Sequence, residues 1–445
     1  MLYIFYVNTG TMLTFDMNLA METVSNLQLA IQRGCHIPED KQVLLISGGE
    51  NLNPTARVCS YAAGTDTNPI FLFSKSSIEA VNPPSPSVNY GSEHDLREQV
   101  EGSLNMPPTY ETVVARAQLA RQMEEVAREH LKACEHLVHD QHMQHQGWAA
   151  VIANLEDITS AFRTRSEIFQ QNFADYLTSR ESMQTALSSF TETCQLLSKI
   201  PLLPCLHTSR LDTSRPDTSR SDTSQQDTSS QSSQPLGRTL LDWISAQDSK
   251  NSLEQMAEQC QAGLQQFDKQ VQEILGTEIQ DMLEKVNNPN MKEVKGLEDR
   301  LYGLEQLMHG ARKVVQEQAD MAQGFIANQN RASNVRDATV LPDLCSSHRR
   351  QLEVLLKNQQ TLHDIKRRCT LAKEELSANL HARLRWVMYV EKQICDVDSK
   401  LVIYHENLKK LRHRLEIIQQ IHQTPDLYAR CGGGRQKAAV LSAVH

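Results

Sequence analysis

The sequence predicts a mostly α-helical protein in which a small N-terminal β-sheet domain is followed by long helices with heptad patterns. Three observations predict this fold class. Residues 1–76 contain short alternating segments typical of strands, later apolar residues recur at steps of three and four over many heptads, and aromatic residues make up only 5% of the chain. A low aromatic content is typical of long solvated helices, which form an elongated helical or coiled-coil body, and not of one large globular core.

Length, charge and cysteine content narrow the class of protein. The 445 residues suffice for about three domains of ~150 residues. The net charge of −9 and the pI near 6.0 argue against a dedicated nucleic-acid-binding protein, which usually carries a basic domain. No run approaches the ~18 apolar residues of a membrane span, and the N-terminus lacks the basic start and cleavage site of a signal peptide. Ten cysteines without a CxxC pair are expected to be reduced in a cytoplasmic protein.

The elements of residues 1–76 follow the order of a β-grasp domain. Two alternating segments are joined at Thr9 and Gly10, which is a hairpin signal because glycine adopts a positive φ without steric cost. The helix that follows is amphipathic, and Gly34 is expected to cap its C-terminal end. The predicted elements are strands at 2–8, 12–17, 43–46 and 69–75 and a helix over 22–35.

The segment IQRGCHIPEDKQVLLISGGENL resembles the matching segment of ubiquitin. The chain departs from ubiquitin after the last strand, where it continues as SSIEAVNPPSPS and has no terminal Gly-Gly to activate. The resemblance therefore implies a ubiquitin-like docking module that cannot be conjugated to substrates. In ubiquitin the face around the third strand binds partners, and Leu45 occupies the matching position. Leu45 is thus a candidate partner contact, and the equally weighted alternative is that it packs against the helices that follow.

Beyond this domain, composition divides the chain into helical and non-helical regions. Residues 77–108 are rich in Pro, Ser and Gly, which predicts a flexible linker. Residues 207–236 contain a polar TSRxD repeat, which cannot bury enough apolar surface to offset the entropy of ordering and is predicted to be disordered. The other regions are a predicted helical region at 109–206, a helical coiled coil at 237–422 and an irregular tail at 423–445.

The cleanest apolar stripe, here called the C-terminal seam, lies near the end of the helical region. Its side chains are Val390, Ile394, Val397, Leu401, Tyr404, Leu408, Leu411, Leu415 and Ile418. A stripe sustained over several heptads must be buried against another helix. We expect the cover to be an antiparallel helix around Leu352–Cys369, the seam of a second molecule, or a partner protein. The candidate partner contacts in the helices are Leu241 and Trp243, from the segment TLLDWISAQD, and Leu408 and Leu415.

The sequence contains no motif for catalysis, cofactor binding or metal binding. It lacks the GxxxxGK[ST] phosphate loop, the GxGxxG turn, the GxSxG nucleophile elbow and the HExxH zinc motif. Four histidines at i, i+3 steps, from His136 to His145, precede a helix end expected at Gly147. Such positions rotate by about 60° per step and cannot all reach one ion. Basic runs at 366–368 and 409–414 are mixed with acidic residues, as on a solvated face. We therefore expect a non-enzymatic protein with no cofactor.

Five longer segments carry a second resemblance. They are QHQGWAAVIANLED (144–157), KIPLLPCL (199–206), LLDWISAQD (240–248), KGLEDRLYGLEQLM (295–308) and LPDLCSSH (341–348). In that order they resemble the retinoblastoma-inducible coiled-coil protein family, over about residues 1–385. The resemblance implies a cytoplasmic scaffold that is recruited to sites of autophagosome formation. It also implies binding to an Unc-51-like kinase and its regulatory subunits, assembly as a homodimer, and at most peripheral membrane association.

The sequence departs from that family in lacking its long C-terminal coiled coil and its terminal cargo-receptor-binding domain, which argues against cargo-receptor binding by this chain. The main alternative to a scaffold is a regulatory subunit whose ubiquitin-like domain controls a kinase allosterically or reads ubiquitin chains.

Overall fold

The computed structural model of the chain describes residues 1–82, 94–202, 239–247, 252–334 and 338–432. Two compact units are present: unit 1 comprises Met1–Ser160 and Glu284–Lys392, and unit 2 comprises Ala161–Leu283 and Gln393–His445. The boundary between them falls inside two long helices, each of which contributes to both units. The predicted fold class, mostly helical with an N-terminal β-grasp domain, is confirmed.

The N-terminal elements are strands β1 (Leu2–Tyr6) and β2 (Thr11–Phe15), helix α1 (Val24–Cys35), strands β3 (Gln42–Leu45) and β4 (Ile70–Ser74), and helix α2 (Lys75–Glu79). The later helices are α3 (His94–Leu104), α4 (Tyr110–Ser188), α5 (Phe190–Leu197), α6 (Leu240–Gln247), α7 (Leu253–Glu273), α8 (Ile279–Val286), α9 (Pro289–Lys292), α10 (Leu297–Asn334) and α11 (Leu341–Gly432). A π-helical turn at Ile274–Glu278 joins α7 to α8.

The N-terminal domain is a mixed sheet with α1 packed on one face. The strand order is β2-β1-β4-β3, with β1 antiparallel to β2 and parallel to β4. Gly10 has a φ of 64° in the predicted hairpin. The cap predicted at Gly34 is wrong, because α1 continues to Cys35 and His36 takes the left-handed conformation instead. The core between α1 and the sheet contains Leu2, Ile4, Val24, Leu27, Ile31, Leu44, Ile70 and Leu72.

Part of the region predicted as a flexible linker is the helix α3, which packs into unit 1. Its Leu96 and Val100 are buried in a core shared with α4, α10 and α11. The buried guanidinium of Arg116 donates from Nη2 to the Ser103 carbonyl at 2.8 Å and from Nη1 to the Cys345 carbonyl at 2.7 Å. The Ser103 carbonyl, in the last turn of α3, also accepts from the Met106 N–H at 3.3 Å. Arg116 thus adds a second donor there and ties the end of α3 to the start of α11.

In unit 1 the helices α4, α10 and α11 form a bundle in which α4 and α11 are parallel and α10 is antiparallel to both. The contacts that set these directions are Gln141–Cys369 and Gln144–Ser377 between α4 and α11, and Glu135–Arg312 and His142–Glu305 between α4 and α10. The helix end predicted at Gly147 is wrong, because α4 continues unbroken through it.

In unit 2 the later parts of α4 and α11 pack with α7. The ring of Phe267 on α7 makes edge contacts with Tyr176 on α4 and Tyr404 on α11, at centroid distances of 6.5 and 6.1 Å. The antiparallel pairing predicted between 352–369 and the C-terminal seam is wrong, because both segments lie on the single helix α11.

The C-terminal boundary of the helical region also differs from the prediction. The sequence predicts an irregular tail from residue 423, yet α11 continues to Gly432 and includes Pro425. Near a helix end a proline removes one backbone hydrogen bond and need not end the helix. The rest of the predicted tail, 433–445, and the TSRxD repeat at 207–236 lie outside the described residues.

Candidate partner-binding surfaces

The β-sheet has a second apolar face, opposite the one that packs on α1. Side chains alternate along a strand, so this outer face consists of the residues that are not in the α1 core. Its members are Phe5, Val7, Leu45, Phe71 and Phe73, each between 0 and 2% exposed. The rings of Phe5 and Phe71 meet edge to face at a centroid distance of 6.4 Å. A face this apolar is buried only if another element covers it.

Helix α4 covers the outer face at Gly147. A Cβ at this position would lie 2.6 Å from Val7 Cγ2, closer than real Cβ atoms approach, and 3.1 Å from Phe71 Cδ1, a tight contact. Only glycine therefore permits this contact between helix and sheet. One turn earlier, the buried Gln144 donates from Nε2 to the Val7 carbonyl at 3.2 Å and to Ser377 Oγ at 3.0 Å.

A second set of contacts fixes the turn after β3 to the same helix. The Asn154 side chain donates from Nδ2 to the Gly49 carbonyl at 2.8 Å. A Cβ at Gly49, where φ is 84°, would lie 2.6 Å from the Asn154 backbone nitrogen. The two glycines, one on the helix and one on the domain, thus make two separate close approaches between α4 and the domain.

Helix α11 holds the domain from another side. The imidazole of His381 is hydrogen-bonded through Nε2 to the carbonyl of Ala80, at 3.1 Å. Burial raises the pKa of the Glu391 carboxyl, and the nearby Lys75 opposes that shift. The ubiquitin-like domain is therefore held by both parallel helices of unit 1.

These contacts decide between the two interpretations of Leu45. Leu45 is 2% exposed and belongs to the covered face, so the structure shows it packed within the chain. Burying an apolar side chain is worth ~1.5–3 kcal/mol, so five of them are worth roughly 10 kcal/mol. The outer face is thus the interface, here called the joint, between the N-terminal domain and α4, and it is not an exposed surface.

Leu408 and Leu415 are also covered within the chain. They are 2% and 1% exposed, and the C-terminal seam to which they belong faces α4 and α7. Leu411 Cδ1 lies 3.7 Å from the position that a Cβ would take at Gly263 of α7. Of the three partners considered for the seam, the structure shows packing within the chain. The helices that bury the seam are α4 and α7, and not the predicted helix around Leu352–Cys369.

Leu241 and Trp243 are the candidate contacts that keep partly exposed side chains. They lie on α6, whose first turn is capped by Thr239: the Asp242 N–H donates to Thr239 Oγ1 at 3.2 Å, and Thr239 N–H donates to Asp242 Oδ2 at 2.9 Å. The neighbouring Leu240 is 2% exposed, and its N–H donates to the Ile200 carbonyl after α5 at 3.0 Å. This short helix therefore presents Leu241 and Trp243 from an anchored position.

The four histidines from His136 to His145 are exposed or half-buried on α4. In the basic run at 366–368, the solvated face predicted from the sequence is wrong at Lys366, which is 7% exposed. His142 Nε2 lies 3.1 Å from Glu305 Oε1. Among the described residues, no three His, Cys, Asp or Glu side chains are grouped as a metal site. Within the same part of the chain, no helix combines the length and apolarity that a membrane crossing requires.

Sequence patterns missed the residues that form the joint. Gln144 and Asn154 lie in the segment 144–157 that carries the family resemblance, but neither is a polar residue type that by itself predicts a contact with the sheet, and Gly147 suggests a helix end. The signal that could have indicated their role is a glycine inside an otherwise regular heptad pattern, since such a glycine often marks a close approach.

Comparison with known proteins adds an independent finding. A family model described as an autophagy protein ATG17-like domain matches residues 99–431. RB1-inducible coiled-coil protein 1 from Homo sapiens is 37% identical over 494 aligned residues, which cover 96% of this chain and 31% of that protein. The protein of the same name from Mus musculus is 37% identical over 493 residues, with the same coverage. The chain thus spans about a third of the length of these curated relatives, and the resemblance predicted from its sequence is confirmed.

Proposed function

Because the chain belongs to the ATG17-like autophagy protein family, we propose that it is a non-catalytic scaffold subunit of the protein kinase complex that initiates autophagy. In this role it assembles the kinase and its regulatory subunits for autophagosome formation. The observation that carries the proposal is the family match to residues 99–431, which include every helix from α4 to α10 and nearly all of α11. Long helices suit a scaffold because each turn adds surface without requiring a large globular core.

The partners of the scaffold follow from the resemblance to the retinoblastoma-inducible coiled-coil protein family. They are an Unc-51-like kinase and its regulatory subunits, and a second copy of the chain is a further candidate. We infer a cytoplasmic protein recruited to sites of autophagosome formation, with no nucleic-acid ligand and at most peripheral membrane association. The half-buried Leu241 and Trp243 on α6 are the first candidates for contacts with these subunits, because tryptophan is enriched among the interface residues that dominate binding energy.

The alternative function is a regulatory subunit whose ubiquitin-like domain controls a kinase or reads ubiquitin chains. A reader needs the face around β3 to be open. Leu45 and its four neighbours on the outer face are at most 2% exposed, which supports the scaffold over the reader.

Affinity purification of the tagged chain from cells tests the scaffold. We expect kinase and regulatory subunits to be enriched over a tag-only control, and ubiquitin chains not to be enriched. The paired substitution Leu241→Ala with Trp243→Ala is expected to lower kinase recovery at least about tenfold. Tyr302→Ala is the matched control, because Tyr302 is 63% exposed on α10 and lies outside the proposed contact. Recovery of ubiquitin chains without kinase subunits would favour the alternative.

A further inference from the structure

The two edges of the N-terminal β-sheet differ in whether another segment pairs with them. The strand order β2-β1-β4-β3 makes β2 and β3 the edge strands. The chain after β3 folds back along it, and the Leu52 N–H donates to the Leu44 carbonyl at 3.0 Å. In the described part of the chain, β2 pairs with β1 alone. The outer edge of β2 is therefore open.

The unpaired backbone groups of this open edge belong to Met12 and Thr14. The N–H and C=O groups of successive residues in a strand point to opposite sides. The N–H of Val7, which continues β1, donates to a β4 carbonyl at 3.1 Å, so the backbone groups of Ile4 face β2. Leu13 lies opposite Ile4 and faces β1. The two N–H groups and two carbonyls of Met12 and Thr14 are therefore directed away from the sheet.

Apolar side chains accompany these backbone groups. Leu13 and Phe15 pack at the margin of the core and are only half-buried. A Cβ at Gly34, near the end of α1, would lie 3.8 Å from Phe15 Cε1, so the helix lies alongside this part of the edge. The strand contains no charged residue and no proline, although such residues commonly protect an edge strand from pairing. The backbone groups of Met12 and Thr14 and the side chains of Leu13 and Phe15 are here called the β2 edge.

We propose that the β2 edge binds an extended segment of a partner protein, which adds an antiparallel strand to the sheet. Backbone groups arranged in this way are recognised by another strand, and the antiparallel arrangement is the more stable one. Residues opposite each other in paired strands lie on the same face of the sheet. The partner residues opposite Leu13 and Phe15 are therefore apolar, because they complete the burial of these two side chains.

Charge and side-chain pairing favour such a segment over a second copy of the chain. Arg33, in the last turn of α1 beside the glycine that contacts Phe15, is exposed, and an acidic residue at that end of the segment would meet it. The Asp16 carboxylate at the same end already accepts a backbone N–H at 2.9 Å. Two β2 strands paired about Leu13 would instead place Phe15 of each copy opposite Thr11 of the other, leaving the ring against a polar side chain.

Peptide binding to the full chain, measured by fluorescence anisotropy, tests the proposal. The probe is the labelled, C-terminally amidated peptide Glu-Ser-Ile-Thr-Val-Thr-Ile, whose first isoleucine and valine lie opposite Phe15 and Leu13. We expect saturable binding, which N-methylation of both threonines weakens at least about tenfold because it removes the two donors that face β2. N-methylation of the valine and the last isoleucine is the matched control, since their N–H groups point to solvent, and is expected to leave the affinity nearly unchanged. A lysine in place of the glutamate is expected to weaken binding about threefold.

Variants of Thr14 locate the bound peptide on the protein. Thr14→Pro removes an N–H that points away from β1, an orientation in which an edge strand tolerates proline, and is expected to weaken binding about fivefold. Thr14→Val keeps this N–H and the β-branched shape and is the matched control, expected to bind like the parent.

If Thr14→Pro fails to fold, the two N-methylated peptides still decide the question. Equal affinities of these two peptides, or no saturable binding of the unmodified peptide, would overturn the proposal. Self-association of the parent chain in sedimentation that Thr14→Pro abolishes would also overturn it, because a second copy would then occupy the β2 edge.

Discussion

The outer face of the β-sheet and the C-terminal seam are both apolar surfaces covered by helices of the same chain, but they are covered in different ways. The seam is a repeating stripe, and its side chains meet neighbours such as Phe267 and Gly263 on α7. The outer face depends on single positions, above all Gly147 and Gln144 on α4. In the seam, many regularly spaced residues share the stabilisation. In the joint, the stabilisation depends on a few residues whose positions follow no sequence period.

The largest expected effect is on the seam. The paired substitution Leu408→Asp with Leu415→Asp places two charges at positions that are 2% and 1% exposed. Burial of an unpaired carboxylate costs several kcal/mol, so unit 2 is expected to lose more than about 6 kcal/mol and to unfold. Circular dichroism is expected to show lost helicity, and hydrogen exchange to show fast exchange confined to unit 2.

Val402→Asp with Ile403→Asp is the matched control on the same helix, because these residues are 56% and 60% exposed. We expect it to leave helicity unchanged. Internal packing of the seam would be contradicted if the Leu408→Asp, Leu415→Asp variant stayed soluble and fully helical and changed only from a dimer to a monomer.

Acid offers a way to weaken unit 1 selectively. His348 is fully buried beside the Phe325 ring, and burial followed by the charge of Arg116 lowers its pKa from 6.5 to about 4. Between pH 6.5 and 4 the unfolded chain binds a proton that the folded chain does not, so stability falls as the pH falls through this window. The loss is on the order of 2–3 kcal/mol.

Denaturant unfolding of unit 1 at several pH values measures this loss. His348→Gln keeps a polar group beside Asn328, whose Nδ2 lies 3.2 Å from His348 Nε2, but removes the titration. The variant is expected to lose less stability than the parent between pH 6.5 and 4. Equal pH profiles for parent and variant would show that His348 is not the responsible group.

The joint is tested by adding one methyl group. Gly147→Ala places a Cβ 2.6 Å from Val7 Cγ2, so the Val7 side chain or the backbone must shift, and overpacking of this kind costs ~1–3 kcal/mol. The control is Gly303→Ala on α10, where the added Cβ meets no described atom within 4 Å apart from the neighbouring residues and backbone of its own helix. Because alanine favours a helix over glycine, the control is expected to be more stable by ~0.5–1 kcal/mol. Thermal unfolding measures the two shifts in melting temperature, which we expect to have opposite signs.

The same comparison explains how much of the structure can be predicted from the sequence. The β-grasp order and the residues of the C-terminal seam are predictable because each depends on local periodicity. The partner of the seam is not, since heptads show that a stripe is buried and not which helix buries it. Helix α3 is missed because Arg116, which binds its last turn, acts from another helix. The candidate site at Leu45 is identified by position, but its burial depends on α4, which comes far later in the chain.

Helix α4 covers the outer face of the ubiquitin-like domain in the native chain. The most direct measurement is the rate at which a thiol at that face reacts with a maleimide in the native chain. In a Leu45→Cys variant, Cys59 serves as an internal reference because it is exposed. If opening of the joint requires several kcal/mol, the introduced thiol is expected to react at least about 10³-fold more slowly than the Cys59 thiol. Equal rates at the two thiols would mean that the face is open, and would contradict the account.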